Sequence, residues 1–162
     1  MLSVSAISEI LIRPKRLVAA MSWVKKLNRE SGAWYEFTSA LEFEDDLLES
    51  PEGLIVRGQW KQSEGDKPSN FGFGLHVGND RIYAIDVKLV GRHKNTAGTG
   101  RPLFSKIISG IHEHTWSADG YGYAEPLENM LIDAAWNLFV KNAMINSDTF
   151  KHPDNGEPEL PI

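Results

Sequence analysis

The chain has 162 residues, 41% of them hydrophobic and 24% charged, and its 17 basic and 22 acidic residues leave a formal charge of −5. That composition describes a folded globular domain with a core of its own rather than a disordered or fibrous chain, and the charge excludes a protein that coats duplex DNA. With no cysteine in the chain, disulfides, thiolate metal sites and cysteine nucleophiles are excluded as well.

The opening segment is apolar, but Glu9 interrupts it and Arg13, Lys15 and Arg16 follow it, the reverse of a secretory signal. No apolar run is long enough to span a membrane, so the expected location is the cytoplasm and no membrane partner is expected. Ser3 to Leu27 reads as a helical segment in two pieces. Ile7, Ile10 and Leu11 form the first stripe, and Leu17, Ala20, Met21, Val24 and Leu27 form the second. Pro14 separates the pieces, and residues 28–32 read as the exit.

From Ala33 the period changes to 2. Tyr35, Phe37, Leu41 and Phe43 alternate with polar residues, and the acidic stretch Glu42 to Glu49 ends the run. Leu54, Val56 and Trp60 predict a second strand, and Phe71, Phe73, Leu75 and Val77 a third. Gly78-Asn79-Asp80 then marks a hairpin turn into Arg81, Tyr83, Ile85, Val87 and Leu89. Gly91 to Pro102 reads as a glycine-rich loop, Phe104 to Trp116 as another strand, and Ser117 to Ala124 as a turn or short loop. Glu125-Pro126 opens a long helix to about Ile145, with Leu127, Leu131, Ala134, Leu138 and Ile145 as its buried stripe.

These elements predict an α+β domain over residues 1–147. Its curved, largely antiparallel sheet has about five strands, with the N-terminal helical segment and the long C-terminal helix packed on one face. Residues 148–162 read as an extended acidic, proline-containing tail. Twelve of the 14 glycines lie between Gly53 and Gly122, a clustering that suits bulges and a strongly curved sheet.

Strand parity gives the composition of the sheet face away from the helices. It carries Glu36, Thr38, Arg57, Gln59, Lys61, His76, Asp86 and Lys88 around Gly72 and Gly74. A charged rim over a glycine floor suits a pocket, although any solvated sheet face alternates in the same way. His112 and His114 stand on one strand face, so both rings can flank one substrate atom or one metal ion. With His93 and His76, four of the five histidines fall between His76 and His114. The alternative is that the pair are polar strand residues bonded to their neighbours.

Arg92, His93, Lys94 and Asn95, followed by Gly98 and Gly100, resemble a weak phosphate loop, without the Gly-Lys-Ser/Thr ending of a P-loop. Trp116, Tyr121 and Tyr123 suit either stacking on a base or core packing.

The residues predict a small cytoplasmic enzyme acting on a phosphate-bearing ligand, a nucleotide or single-stranded RNA, by general acid–base catalysis. His112, His114, His93 and Arg57 are the expected catalytic residues. Arg92, Lys94, His76, Asp86, Trp116, Tyr121 and Tyr123 are expected to hold the substrate. No cofactor is required, though a divalent metal on His112 and His114 would fit. Two other readings are an acidic protein-binding or inhibitor domain, acting through Glu42, Glu44, Asp45, Asp46 and Glu49, and a histidine-ligated metal protein.

Overall fold

The computed structural model describes residues 1–28 and 32–153. Helix α1 (Val4–Ile12) starts at Ser3, whose Oγ accepts from the Ala6 N–H at 3.1 Å, and it stops before Pro14, where a helical Arg13 would clash. The second helical piece does not form. In its place lie β1 (Lys15–Leu17) and β2 (Val24–Asn28), both paired with β3 (Gly32–Phe43). Three-and-four spacing was an insufficient guide there, because Val18, Val24 and Leu27 are exposed and no apolar stripe is buried. The exit expected at residues 28–32 falls largely outside the described residues.

Strands β4 (Leu54–Lys61), β5 (Asn70–Val77) and β6 (Asp80–Val87) continue the antiparallel ladder, and the expected hairpin joins β5 to β6 with Gly78 at φ 58°. The expected strand from Phe104 to Trp116 is broken by Gly110 at φ 76° into β8 (Ile107–Ser109) and β9 (His112–Ser117). β8 pairs with β7 (Arg92–Lys94), inside the segment read as a loop. The turn expected at Ser117–Ala124 is instead a hairpin into β10 (Gly120–Pro126), with Gly120 and Gly122 at φ 109° and 117°.

The C-terminal helix α2 (Ile132–Asn142) is shorter than expected, because Glu125 and Pro126 finish β10 at the sheet edge, where proline leaves no central ladder bond unmade. Its buried stripe is Ala135, Trp136 and Phe139, one step round from the predicted one, since the two large rings take the core. Lys141 in its last turn suits the helix dipole. Strand β11 (Ile145–Asn146) closes against β1 in the one parallel pairing among the described residues.

The result is an α+β fold with a curled, mostly antiparallel sheet in the order β10-β9-β6-β5-β4-β3-β1-β11, larger than the five strands expected. Its core is aromatic: Trp136 packs edge-on against Phe37 and Phe73, and Phe139 stacks on Tyr83 at 5.6 Å. Residues 148–153 are not a free tail, because Phe150 packs on Trp23, Phe71, Phe73 and Trp136, while residues 154–162 lie outside the description. Lys15, fully buried, donates to Leu11 O and Arg13 O at the end of α1 and to Ala143 O at the end of α2, at 3.3, 2.7 and 2.8 Å. One ammonium thereby satisfies orphan carbonyls at both helix ends. Among the described residues, no helix is long and apolar enough to cross a membrane.

Candidate functional site

Register places the polar face in two rows that cross the sheet. One runs Thr38, Arg57, Gly74, Ala84, His114 and Ala124; the next runs Glu36, Gln59, Gly72, Asp86, His112 and Pro126. Directly paired residues share a face, so the small residues Gly72, Gly74 and Ala84 form a trough between Arg57 and the histidines. At about 4.8 Å per strand, Arg57 and His114 stand roughly 14 Å apart at the backbone.

The trough opens as a cleft of about 430 Å3 whose lining includes Trp34, Arg57, Asn70, His76, Arg81, Asp86 and Lys88. The glycines are where the functional side chains lie down. A Cβ on Gly74 would sit 2.9 Å from His76 Nε2 and 3.0 Å from Arg81 Nε, and one on Gly72 would sit 3.0 Å from Asp86 Oδ1. Four buried polar atoms in this lining have no hydrogen-bond partner among the described residues: Arg57 Nε, Trp34 Nε1, Trp60 Nε1 and Asn70 Oδ1. Arg57 Nε stands 3.9 Å from Glu36 Oε1, beyond hydrogen-bond reach. Burial, reinforced by the charges of Arg57 and Arg81, pushes His76 down to about 4, so its imidazole is neutral at pH 7.

Arg81 was not foreseen as a cleft residue, because parity groups it with Tyr83 and Ile85 on the apolar side. A register shift between Leu75 and His76 sets Arg81 opposite His76, and Arg81 Nη2 donates to Asp86 Oδ1 at 2.7 Å. Bulges of this kind re-aim side chains next to binding sites, and periodicity does not reveal them.

Beyond Asp86 lies a second cluster. The rings of His93, His112 and His114 have centroids 4.7–5.6 Å apart. His112 and His114 are each 3% exposed, while His93 is half-buried. Each ring is anchored through one nitrogen. His93 Nε2 bonds Gly122 O at 2.7 Å, His112 Nδ1 bonds Gly110 O at 2.7 Å, and His114 Nε2 bonds Asp86 Oδ2 at 3.1 Å. Burial lowers the pKa of His112 and of His114 more than the Asp86 carboxylate raises them. For Asp86, burial acts to raise the pKa, but the bond from His114 and the Arg81 guanidinium more than offset it, and the carboxyl is held below its ordinary value. Tyr121 stacks on His114 at 5.4 Å, and burial pushes its hydroxyl up to about 12.

The structure therefore brings His93, His112 and His114 together, with Tyr121 stacked on His114, and sets Arg57, His76 and Asp86 around the neighbouring cleft. The remaining sequence candidates stand elsewhere. Arg92 and Lys94 point outward on β7. Trp116 is buried and donates to Leu2 O. Tyr123 is fully buried with the Arg101 guanidinium 3.5 Å above its ring. The loop read as a phosphate cradle already holds an anion of the protein's own, since Asp119 accepts from the Gly98 and Thr99 N–H groups at 2.7 and 3.1 Å. Those bonds, with the Thr99 hydroxyl, hold Asp119 down at about 2. Asn95, read from the sequence as part of that cradle, is instead fully buried and ties the loop to Leu103 O and Ala124. In the acidic stretch, Arg13 pairs with Asp45 and Glu49, and Arg16 with Glu42.

Comparison of the chain with protein-family models, with curated proteins and with solved structures gives no match.

Proposed function

We propose that the protein is a small enzyme that takes a phosphate-bearing substrate, a nucleotide or single-stranded RNA, into the cleft and acts on it by general acid–base catalysis. The observation that carries this reading is the neutral His76 imidazole beside the Arg81 guanidinium over the Gly74 gap, with Arg57 paired to Gly74 on its other side. Two guanidiniums suit the oxygens of a phosphate, which accept paired N–H bonds. The unpartnered Arg57 Nε is a donor in want of an acceptor, and Trp34 offers an aromatic face and an unpartnered N–H to a base. A cleft of about 430 Å3 falls in the range that encloses a small ligand.

In this mechanism His76 is the proton acceptor, because it lines the cleft, whereas His112 and His114 lie on the far side of Asp86. Burial is the larger cause of the low His76 value, but an anion bound between Arg57 and Arg81 offsets the part that comes from their charges, so substrate binding raises the basicity of the group that must take the proton. Steady-state turnover of a chromogenic phosphodiester, a nucleotide panel and an RNA oligonucleotide tests the reading. The acid limb of kcat/KM should report the free-enzyme value near 4, while that of kcat should lie higher because it reports the complex. Arg57→Ala and His76→Ala should lose turnover while melting like the parent. Failure of every phosphate ester to turn over, with no binding of phosphate or nucleotide, overturns it.

A further inference from the structure

We propose that His93, His112 and His114 form a site for a divalent first-row transition metal, with Zn(II) the ion that suits three imidazole ligands. One ring nitrogen from each residue lies within 4.8 Å of the other two. Tetrahedral ligands at about 2.0–2.1 Å from zinc stand roughly 3.4 Å apart. Small ring rotations would supply that contraction.

The anchoring bonds are the stronger argument. Gly122 O, Gly110 O and the Asp86 carboxylate each accept from one ring, which leaves His93 Nδ1, His112 Nε2 and His114 Nδ1 without a hydrogen bond of their own, His112 Nε2 standing 3.6 Å from Asp86 Oδ2. Metal-ligating histidines are held in this way, through a carbonyl or a carboxylate on the remote nitrogen. His114 Nδ1 is moreover buried without a hydrogen-bond partner in a side chain only 3% exposed. A buried lone pair with nothing to accept is costly for an ordinary core histidine, whereas a metal ion gives it a partner.

The donor set also narrows the cation. No cysteine is available, and imidazole nitrogens disfavour magnesium and calcium, which take oxygen ligands. Three protein ligands are one short of a closed structural zinc site, which leaves a fourth position for water or a substrate atom. Because Asp86 serves both Arg81 and His114, a metal here would share a carboxylate with the cleft. The metal assignment nevertheless stands apart from the phosphate reading: it is read out with metal alone, and either can fail while the other holds.

The experiment uses the untagged full chain. Metal content is measured as purified, and the chelated protein is titrated with Zn(II) and with Co(II), whose visible spectrum reports tetrahedral nitrogen ligation. The expected result is about one metal per chain, Co(II) bands of tetrahedral intensity and a melting temperature raised by about 5 °C or more at saturating zinc. His93→Ala, which changes the least buried ring, should fold and lose at least the ~10–100-fold in affinity that even an outer partner commands. His114→Gln keeps a polar side chain of similar reach should the alanine variant fail to fold. Absence of metal as purified, together with no Co(II) spectrum and no melting shift at about 100-fold excess, overturns the site. Equal zinc affinity in the parent and in His93→Ala overturns it too, because the ion would then be held elsewhere.

Discussion

Two glycines, one on each face of the β4–β5 pair, separate the roles of fold and cleft. A Cβ on Gly58 would run into the Phe37 ring, itself packed edge-on against Trp136 in the core. Nothing there can yield without moving the aromatic cluster, so Gly58→Ala should cost about 1–3 kcal/mol or more through overpacking. A Cβ on Gly74 meets only the far ends of two flexible side chains, His76 Nε2 and Arg81 Nε, at 2.9 and 3.0 Å. Those ends can swing toward solvent. Stability should therefore change by less than about 1 kcal/mol, with loss of glycine entropy in a strand partly compensating. The binding site should not survive as well. If the displaced guanidinium loses one charged hydrogen bond to phosphate, worth about 1.5–3 kcal/mol, affinity for inorganic phosphate or a nucleoside monophosphate falls roughly 10- to 100-fold. Urea melts alongside calorimetric titration measure both quantities for both variants. An equally unstable Gly74→Ala, or one that binds the anion as the parent does, would refute the assignment of Gly74 to the cleft.

Acidification should destabilise the domain through His76. Its pKa is about 4 when folded, against an ordinary 6.5 when unfolded, so between these values the unfolded chain binds more protons and stability falls as pH falls. This proton-linked penalty is absent above pH 6.5, reaches at most about 3 kcal/mol at pH values below about 4, and should be missing from the difference between urea melts of His76→Gln at pH 7 and at pH 4.5. Lys15→Met should cost about 2–4 kcal/mol in the same melts, because the carbonyls of Leu11, Arg13 and Ala143 lose their shared donor. Asn95→Ala should cost a similar amount and expose the 95–105 loop to proteolysis, since its side chain makes bonds to Leu103 and Ala124 that no neighbour replaces. Asp86→Asn should weaken phosphate and zinc binding together, and a loss confined to one of them would show that the two sites do not share the carboxylate.

What the sequence made legible was local. The β5–β6 hairpin could be read because Gly78-Asn79 sits between two clean alternations, and the glycine floor because Gly72 and Gly74 interrupt the polar parity of a strand whose other face is Phe71, Phe73 and Leu75. Long-range pairing was not legible. His93 reaches the histidine pair because β7 pairs with β8 over only three residues, too few for an alternation to register. Arg81 was assigned to the wrong face because one extra residue on β6, Ile82, resets the parity. The helix stripe was displaced by one position because counting apolar residues gives Leu138 the same weight as Trp136, whereas burial favours the larger ring. Residues 17–27 show the converse error. Their three-and-four spacing is real, but β3 has twelve residues and offers a free edge along both halves, and pairing there satisfies more backbone groups than an isolated short helix would.

The same geometry explains why the polar face tolerates so much charge in one place. Asp86 is 7% exposed, a burial that a carboxylate withstands only when its lone pairs are used. Arg81 takes Oδ1 and His114 takes Oδ2, one from each side. Arg81 is thereby held over Gly74, and His114 is held with its Nδ1 lone pair turned from the carboxylate. A hydrophobic residue of similar size at position 86 would fit the space between Gly72 and His112, yet it would release both neighbours at once. The position is best understood as the hinge of charge between a cationic cleft and the histidine cluster. This accounts for the arrangement of small residues around it. Gly72 makes room for Oδ1, Gly74 for the guanidinium and the imidazole, and Ala84 leaves the trough open toward His114.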